Sequence, residues 1–228
     1  MRTLIATAFA LLIGAGFVSN AAAQATQAAA AQSAGDAKAG ERKAAMCIGC
    51  HSIPGYQSSF PEVHKVPMIA GQNAKYLQAS LGAYKTGDRK HPTMKAIAAS
   101  LTDQDMADLA VYFETLPKDK AKAPAKPNRE PSTEVAELLK KGNCISCHGE
   151  NFSKPTDASF PKLAGQHADY LYVALKAYQM QRNPQLGRAN PVMSGMVANF
   201  KPAELKALSK YIASLDGELS IEAQSRFR

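Results

Sequence analysis

Residues 47–51 read CIGCH and residues 144–148 read CISCH. Each stretch has the form Cys-x-x-Cys-His, and together they contain all four cysteines of the 228-residue chain. Cysteines with this spacing can form disulfides, bind zinc, act as redox dithiols, or serve a chemistry that also needs the histidine. The surroundings of the two motifs decide between these uses.

The chain carries an internal duplication that extends beyond the two cysteine motifs. The motifs are offset by 97 residues, and other matches are offset by 94 or 99: PMIAGQ (67–72) with PKLAGQ (161–166), Tyr76-Leu77 with Tyr170-Leu171, Ala83-Tyr84 with Ala177-Tyr178, and Pro92-Thr93-Met94 with Pro191-Val192-Met193. An offset that drifts by a few residues is expected when loops are inserted into one of two copies of a fold. The sequence therefore predicts two domains of one fold.

The N-terminal residues predict export. Arg2 is followed by an apolar run from Leu4 to Val18 and by the small residues Ala21 to Ala23, which is the pattern of a signal peptide cleaved near Ala23. The alternative is an uncleaved N-terminal anchor. Export would place the mature chain in the periplasm, an oxidising compartment.

Three uses of the cysteines fit the sequence poorly. A disulfide within one motif would close a loop too small to constrain the unfolded chain. Zinc knuckles of this kind lie about 15 to 20 residues apart, whereas about 94 residues separate Cys50 from Cys144. A thioredoxin-type dithiol follows a strand of a parallel sheet, and no stretch here alternates as a strand. None of the three explains why a histidine follows both times.

Cys-x-x-Cys-His is the signature of covalent haem attachment. Two thiols on one helical turn can form thioethers with the two vinyl groups of a porphyrin, and the next imidazole then lies beneath the iron. The sequence therefore predicts two covalently bound haem c groups. The predicted attachment and iron-ligand residues are Cys47, Cys50 and His51 for one group, and Cys144, Cys147 and His148 for the other.

The repeat also predicts the second axial ligand of each iron. Met94 and Met193 recur at equivalent positions, each two residues after a proline and just before the last helix of its copy. Met196 is the alternative in the second copy, although packing is its favoured interpretation. A histidine without a counterpart is more often a surface or capping residue than a ligand. The other candidates lack a counterpart or fit a packing role: Met46, Met68, Met106, Met180, His64, His91 and His167.

The combination of motifs resembles the cytochrome c4 family. The resemblance rests on the two Cys-x-x-Cys-His motifs, a P-x-[LI]-A-G-Q segment after each, a helix that contains Tyr-Leu, and a P-x-M before a final helix, and it spans about Ala37 to Leu215. It implies an exported dihaem electron carrier made of two class I cytochrome c domains. It also implies that the backbone carbonyls of Pro67 and Pro161 accept hydrogen bonds from Nδ1 of His51 and His148.

Three features depart from the family pattern. Ser52 stands where Gly149 follows the second motif, and extra residues occur around Phe60–Lys65. We expect these two departures to affect the packing around the first haem. The C-terminal segment ELSIEAQSRFR (218–228) is longer than the resemblance implies, and is either a docking element or disordered.

The predicted fold class is all-α, with two tandem cytochrome c-like domains of three to four helices each around one covalently bound haem. Helical spacing of apolar residues supports this prediction in both copies. The predicted segments are a signal peptide (1–23), a low-complexity segment (24–36), the first domain (37–117), a proline-rich linker (118–131), the second domain (132–216) and a C-terminal tail (217–228).

The expected role is one-electron transfer, because histidine and methionine on both irons leave no position for a substrate. We expect electrons to pass from a quinol-oxidising complex or a dehydrogenase to a terminal oxidase or another acceptor. The alternatives are a haem enzyme, either a dihaem peroxidase or a thiosulfate-oxidising cytochrome, and a bound cytochrome subunit of a dehydrogenase or oxidase complex.

The charge pattern indicates what kind of partner the chain has. The net charge is +8, but no arginine-rich helix or basic aromatic stripe occurs, so a nucleic-acid partner is not expected. The excess favours solubility and some steering of acidic redox proteins. We expect a monomer whose two domains pack on each other, and peripheral association with the membrane is compatible with this pattern.

Overall fold

The structure, a computed structural model, describes residues 34–117, 121–180 and 183–223. Its first-copy elements are α1 (Ala37–Lys43), α2 (Ala45–His51), β1 (Gln57–Ser58), β2 (His64–Lys65), α3 (Ala74–Thr86), β3 (Arg89–Lys90), α4 (Pro92–Ala99) and α5 (Asp103–Glu114). Its second-copy elements are α6 (Thr133–Lys141), α7 (Ile145–His148), α8 (Ala168–Gln179), β4 (Gly187–Arg188), α9 (Pro191–Val197) and α10 (Pro202–Ala213).

The predicted all-α class with two tandem domains is confirmed. Each domain has five helices in the described residues, one more than the largest predicted number. The extra helices arise because the N-terminal helix of each copy is interrupted before the cysteine motif, and because the P-x-M segment forms a short helix of its own. Pro92 and Pro191 occupy the first turns of those short helices. Proline is tolerated there because an N–H in the first turn has no carbonyl partner within the helix.

In the first domain, α1 crosses α5 with the two backbones in contact. Gly40 lies against the backbone of Asp108, and a Cβ at this position would collide with its carbonyl. A capping box of Thr102 and Asp105 starts α5. The helices enclose a small core: Ala44, Ile48, Leu77, Leu101, Met106, Leu109, Ala110 and Phe113.

The second domain has a larger core around α10, which packs against α6 and α8. An apolar stripe along α10 and just after it is buried: Leu205, Leu208, Ile212 and Leu215. The core residues are Val135, Leu138, Leu139, Phe152, Ala164, Leu171, Val197, Phe200, Leu205, Leu208, Tyr211, Ile212 and Leu215. This domain therefore encloses more apolar side chains than its partner does.

The two domains pack on each other. β3 pairs with β4 in an antiparallel arrangement that places Arg89 opposite Arg188. The extra residues of the first copy supply the turn and β2 of a β1–β2 hairpin. This hairpin also reaches the second domain, because the N–H of Lys65 donates to Asp169 at 3.1 Å. The insertion therefore belongs to the domain interface.

The described part of the C-terminal tail packs on both domains. Leu219 is buried, Glu218 pairs with Lys162 of the second domain, and the N–H of Ser220 donates to the carbonyl of Ala70 in the first domain at 3.2 Å. Residues 217–223 thus connect the domains from the outside.

None of the helices in the described ranges is long and apolar enough to cross a membrane. The predicted signal peptide (1–23), residues 24–33 of the low-complexity segment and residues 118–120 of the linker lie outside the described residues.

Candidate functional site

A cavity of about 570 Å³ extends across both domains. Seven of the eight predicted attachment and ligand residues line it: Cys47, Cys50, His51, Met94, Cys147, His148 and Met193. The short helices α2 and α4 supply those of the first domain, and α7 and α9 supply those of the second. The fold therefore brings the two recurring motifs of each copy to one connected space.

Cys144 is the one cysteine that does not line the cavity. It packs against the core of the second domain, as Cys47 packs against the core of the first. It follows Asn143, whose φ of 46° is left-handed. The next residue, Ile145, is 41 % exposed, whereas the equivalent Ile48 is 1 % exposed. The two motifs thus have the same residue types on different local backbones.

The environment of the thiols argues against a redox dithiol. No disulfide joins the four cysteines. Burial raises the pKa of the Cys47 thiol to about 11 and also raises the pKa of Cys144, whereas redox dithiols depend on a lowered thiol pKa. In the described ranges, no group of three or more His, Cys, Asp or Glu side chains is arranged to hold a metal ion.

Both motif histidines are held by a backbone carbonyl. Nδ1 of His51 lies 2.7 Å from the carbonyl oxygen of Pro67, and Nδ1 of His148 lies 3.2 Å from that of Pro161. A carbonyl can only accept, so Nδ1 must carry the proton and Nε2 is left with a free lone pair. Burial lowers the pKa of both histidines, which favours the neutral imidazole that binds metals.

The two recurring methionines are positioned by equivalent helix caps. The N–H of Met94 donates to Nδ1 of His91 at 3.4 Å, and the N–H of Met193 donates to Oδ1 of Asn190 at 2.9 Å. Burial is the main cause that lowers the pKa of His91 to about 4, so its ring is neutral and can accept. His91 is therefore a capping residue, which agrees with the prediction for a histidine without a counterpart.

Three of the other candidate iron ligands lie in different environments. Met106 is buried in the first core, in agreement with the packing role predicted for it. The expectation that Met196 packs in the core is wrong, because it lies on the outer face of α9 and is 42 % exposed. His64 is neither a surface nor a capping residue: it is buried and its ring contacts that of Tyr170 across the interface.

The prediction missed a cluster of two arginines and several tyrosines between the domains. Arg89 donates to the hydroxyls of Tyr76 at 3.2 Å and Tyr170 at 2.8 Å. Arg188 donates to the same Tyr170 at 3.2 Å and to Tyr178 at 3.4 Å. Burial alone would raise the pKa of Tyr170, but the two guanidinium groups lower it to about 8.

This cluster is suited to anionic groups. None of the ion pairs among the described residues involves Arg89 or Arg188, and the buried Nε of Arg89 has no hydrogen-bond partner. Buried charges without a counter-charge are unfavourable. Both arginines line the cavity, so the propionates of haem groups bound there would supply the missing negative charge. Recurrence at the offset of 99 could have identified this pair.

Comparison with known proteins agrees with this site. The family model for cytochrome c matches residues 37–117 and 132–216. Cytochrome c4 of Azotobacter vinelandii is 32% identical over 203 residues, which is 81% of this chain and 91% of that protein. A thiosulfate dehydrogenase electron acceptor of Stutzerimonas stutzeri is 29% identical and covers 77% of this chain and 82% of that protein.

A solved structure shows the same two-domain fold. The crystal structure of reduced recombinant cytochrome c4 from Pseudomonas stutzeri matches with a TM-score of 0.57 at 30% identity, and covers 80% of this chain and 100% of that one. With the duplicated motifs and the shared cavity, these matches show that the chain belongs to the cytochrome c family as a dihaem, cytochrome c4-like electron carrier with two covalently bound haem c groups.

Proposed function

We propose that the chain is a periplasmic carrier that takes single electrons from a respiratory donor, a quinol-oxidising complex or a dehydrogenase, and passes them to a terminal oxidase or another acceptor. One observation carries this proposal. Each half of the cavity pairs a histidine whose Nε2 is free to ligate with a methionine at the start of a capped helix. Two such pairs would close both irons to substrate.

The residues are assigned by copy. In the first domain Cys47 and Cys50 would form the thioethers, and His51 and Met94 would ligate the iron. In the second domain Cys144 and Cys147 would form the thioethers, and His148 and Met193 would ligate the iron. The bound haem supplies one-electron chemistry, since its iron changes between the ferrous and ferric states.

The chain itself keeps the geometry constant while electrons pass. The carbonyls of Pro67 and Pro161 fix the orientation of the histidine rings. The caps on α4 and α9 fix the methionine backbones. Arg89 and Arg188, which line the cavity, would hold the propionates. Burial of the haem and methionine ligation would together raise its reduction potential.

The closed state of both irons can be tested on the purified holoprotein. Reductive titration should consume two electrons per chain, and the reduced protein should not bind carbon monoxide, because side chains fill both axial positions. The variant Met193→Ala should bind one carbon monoxide per chain and serves as the positive control. Binding of carbon monoxide by the unmodified protein would contradict the carrier and favour the enzyme alternative.

Thiosulfate dehydrogenase is a second candidate for the donor, because one relative is named as the electron acceptor of that enzyme. If thiosulfate dehydrogenase is the donor, thiosulfate alone should not reduce the oxidised protein. All four cysteines are assigned to haem attachment, so none is left to ligate an iron. Thiosulfate with catalytic amounts of a thiosulfate dehydrogenase should reduce both haems. Reduction by thiosulfate alone would instead indicate an enzyme.

A further inference from the structure

The glutamines that end the two A-G-Q segments cross the domain interface in equivalent ways. Nε2 of Gln166 donates to the carbonyl of Met68 at 2.8 Å, and its Oε1 accepts from the N–H of Met68 at 3.0 Å. Gln72 makes the same pair of bonds with Lys162, at 2.9 Å and 2.8 Å. Both glutamines are buried. The recurring motif therefore forms two reciprocal bridges between the domains.

The orientation of each side-chain amide is fixed by a third bond. Oε1 of Gln166 also accepts from the N–H of His167 at 3.0 Å, and Oε1 of Gln72 accepts from the N–H of Asn73 at 3.0 Å. An oxygen between two N–H donors cannot be exchanged with the amide nitrogen without losing both bonds. The glutamine oxygen is thus the atom that faces the other domain's N–H.

Each bridge ends on the peptide unit that also holds a motif histidine. The Pro67 carbonyl, which accepts from Nδ1 of His51, belongs to the same peptide unit as the N–H of Met68. The carbonyl and N–H of a trans peptide point to opposite sides, so His51 and Gln166 lie on opposite sides of one peptide.

The second domain repeats this arrangement. The peptide unit between Pro161 and Lys162 connects Nδ1 of His148 with Oε1 of Gln72. In both copies, therefore, a continuous chain of hydrogen bonds runs from the histidine of one domain to the glutamine of the other.

We propose that Gln72 and Gln166 are positioning residues that act crosswise on the two reduction potentials. Gln166 of the second domain acts on the haem of the first domain through His51, and Gln72 acts on the haem of the second domain through His148. This inference rests on the proposed function in one respect, that His51 and His148 ligate the irons.

The sign of the effect follows from polarisation of the shared peptide. Hydrogen bonds in a chain strengthen one another, so donation by the Met68 N–H to Gln166 makes the Pro67 carbonyl a stronger acceptor. A stronger bond to Nδ1–H raises the basicity of the imidazole as an iron ligand, which favours the ferric state. Each glutamine therefore lowers the potential of the haem in the opposite domain.

The test uses Gln166→Leu and Gln72→Leu in the full-length holoprotein, with each haem titrated separately through the NMR resonances of its axial methionine. In Gln166→Leu, the reduced-to-oxidised ratio of the first haem at a fixed solution potential should rise by about threefold to tenfold, and tenfold corresponds to about 59 mV for a one-electron couple. The second haem should not shift. In Gln72→Leu the second haem alone should shift, and by less, because the His148 bond is longer than the His51 bond, 3.2 Å against 2.7 Å.

Asn73→Ala is the matched control. Nδ2 of Asn73 donates across the same interface to the carbonyl of Phe160 at 2.9 Å, but the nitrogen of that peptide unit belongs to Pro161, which has no N–H. Both potentials should stay unchanged in this variant. A general loosening of the interface would instead admit water and lower both potentials together.

Equal shifts of both haems, a shift in the glutamine's own domain, or no shift would overturn the crosswise coupling. Should a leucine variant fail to fold, the shorter amide in Gln166→Asn and Gln72→Asn should give shifts of the same sign and smaller size. The visible spectrum distinguishes a failure of the crosswise coupling from a failure of the proposed iron ligands. A six-coordinate spectrum with unmoved potentials removes only the coupling, whereas an unmodified protein without that spectrum removes the proposed ligands as well.

Discussion

The two domains share the recurring cysteine, histidine and methionine positions but differ in the structure that supports them. Among the described residues, eight side chains form the first core and thirteen form the second. The first domain compensates with contacts outside its core, namely the hairpin that reaches the second domain and the ion pairs of Lys43. Duplication has thus preserved the site positions while the supporting structure diverged.

The cysteine motifs show the same contrast on a smaller scale. Ile48 and Ile145 occupy the same motif position, yet the first is buried and the second is exposed. The left-handed Asn143 before α7 has no left-handed equivalent among the described residues of the first motif. Chemistry common to both copies therefore does not require the same backbone.

Loss of one haem should have the largest effect and should differ between the copies. We expect Cys47→Ala with Cys50→Ala to leave one haem per chain and to unfold the first domain, since its core is small. The equivalent change at Cys144 and Cys147 should also leave one haem, with a smaller loss of helix. Haem-to-protein ratio and far-ultraviolet circular dichroism would measure both, and equal helix losses would show that the cores do not differ in the way described.

A core truncation should reveal which domain depends on the other. Leu109 and Leu208 are equivalent and buried, and truncation to alanine should lower the free energy of unfolding by about 2–5 kcal/mol. Leu109→Ala should split denaturant unfolding into two steps, with the first domain unfolding first. Leu208→Ala should keep a single unfolding step. The second domain is then no more stable than the first, so both unfold together. Two unfolding steps in Leu208→Ala and one step in Leu109→Ala would mean that the first domain is the more stable of the two.

Acid should weaken the first domain through Lys43 and its two partners. Hydrogen bonds from Lys43 lower the pKa of Asp105 and Asp108 below the unfolded value of about 3.9. Carboxyl groups with a lowered folded pKa stabilise the protein above about pH 4, and this contribution is lost as the pH falls through the folded pKa.

Asp108→Asn tests that contribution. The variant should be less stable than the parent at neutral pH, and its stability should depend less on pH below about pH 4. Denaturant unfolding at a series of pH values provides the measurement. A variant with the full acid dependence of the parent would exclude Asp108 as a source of it.

The smallest expected effect concerns an ion pair across the interface. Lys176 of α8 pairs with Glu62 of the hairpin, and both side chains are partly exposed. Lys176→Met should cost about 0.2–1 kcal/mol, and added salt should reduce the difference. Denaturant unfolding at low and high salt would show this, and an effect that persists in high salt would mean that packing, not charge, is the contribution of Lys176.

Residues that recur in both copies of the internal repeat are the part of the site that the sequence predicts. Because Met94 and Met193 recur, the repeat singles them out from other methionines, and the P-x-[LI]-A-G-Q segments mark the carbonyls near both histidines. Arg89 and Arg188 recur equally well, but a basic residue in a chain with many lysines gives no sign that it is buried. Arg89 is buried where it donates to tyrosines of both domains, Tyr76 and Tyr170, and no local pattern shows that these residues meet.

Contacts between the domains were the least predictable part. His64 lies in an insertion without a counterpart. It is buried, and its ring contacts that of Tyr170, which is more than a hundred residues away in the chain. Met196 follows the apolar spacing of its helix but faces solvent, since the domain packs on the other face of α9. Local patterns predict which residues form helices, whereas these outcomes depend on how the two copies meet.

The near-infrared absorbance of the oxidised protein, scaled to haem content, reports whether a methionine ligates each of the two irons. The sulfur-to-iron charge-transfer band should have full intensity for two haems. It should fall by half in Met94→Ala and by half in Met193→Ala, and remain unchanged in the exposed control Met196→Ala. Half intensity or none in the unmodified protein would contradict the account, because at least one iron would then lack its methionine.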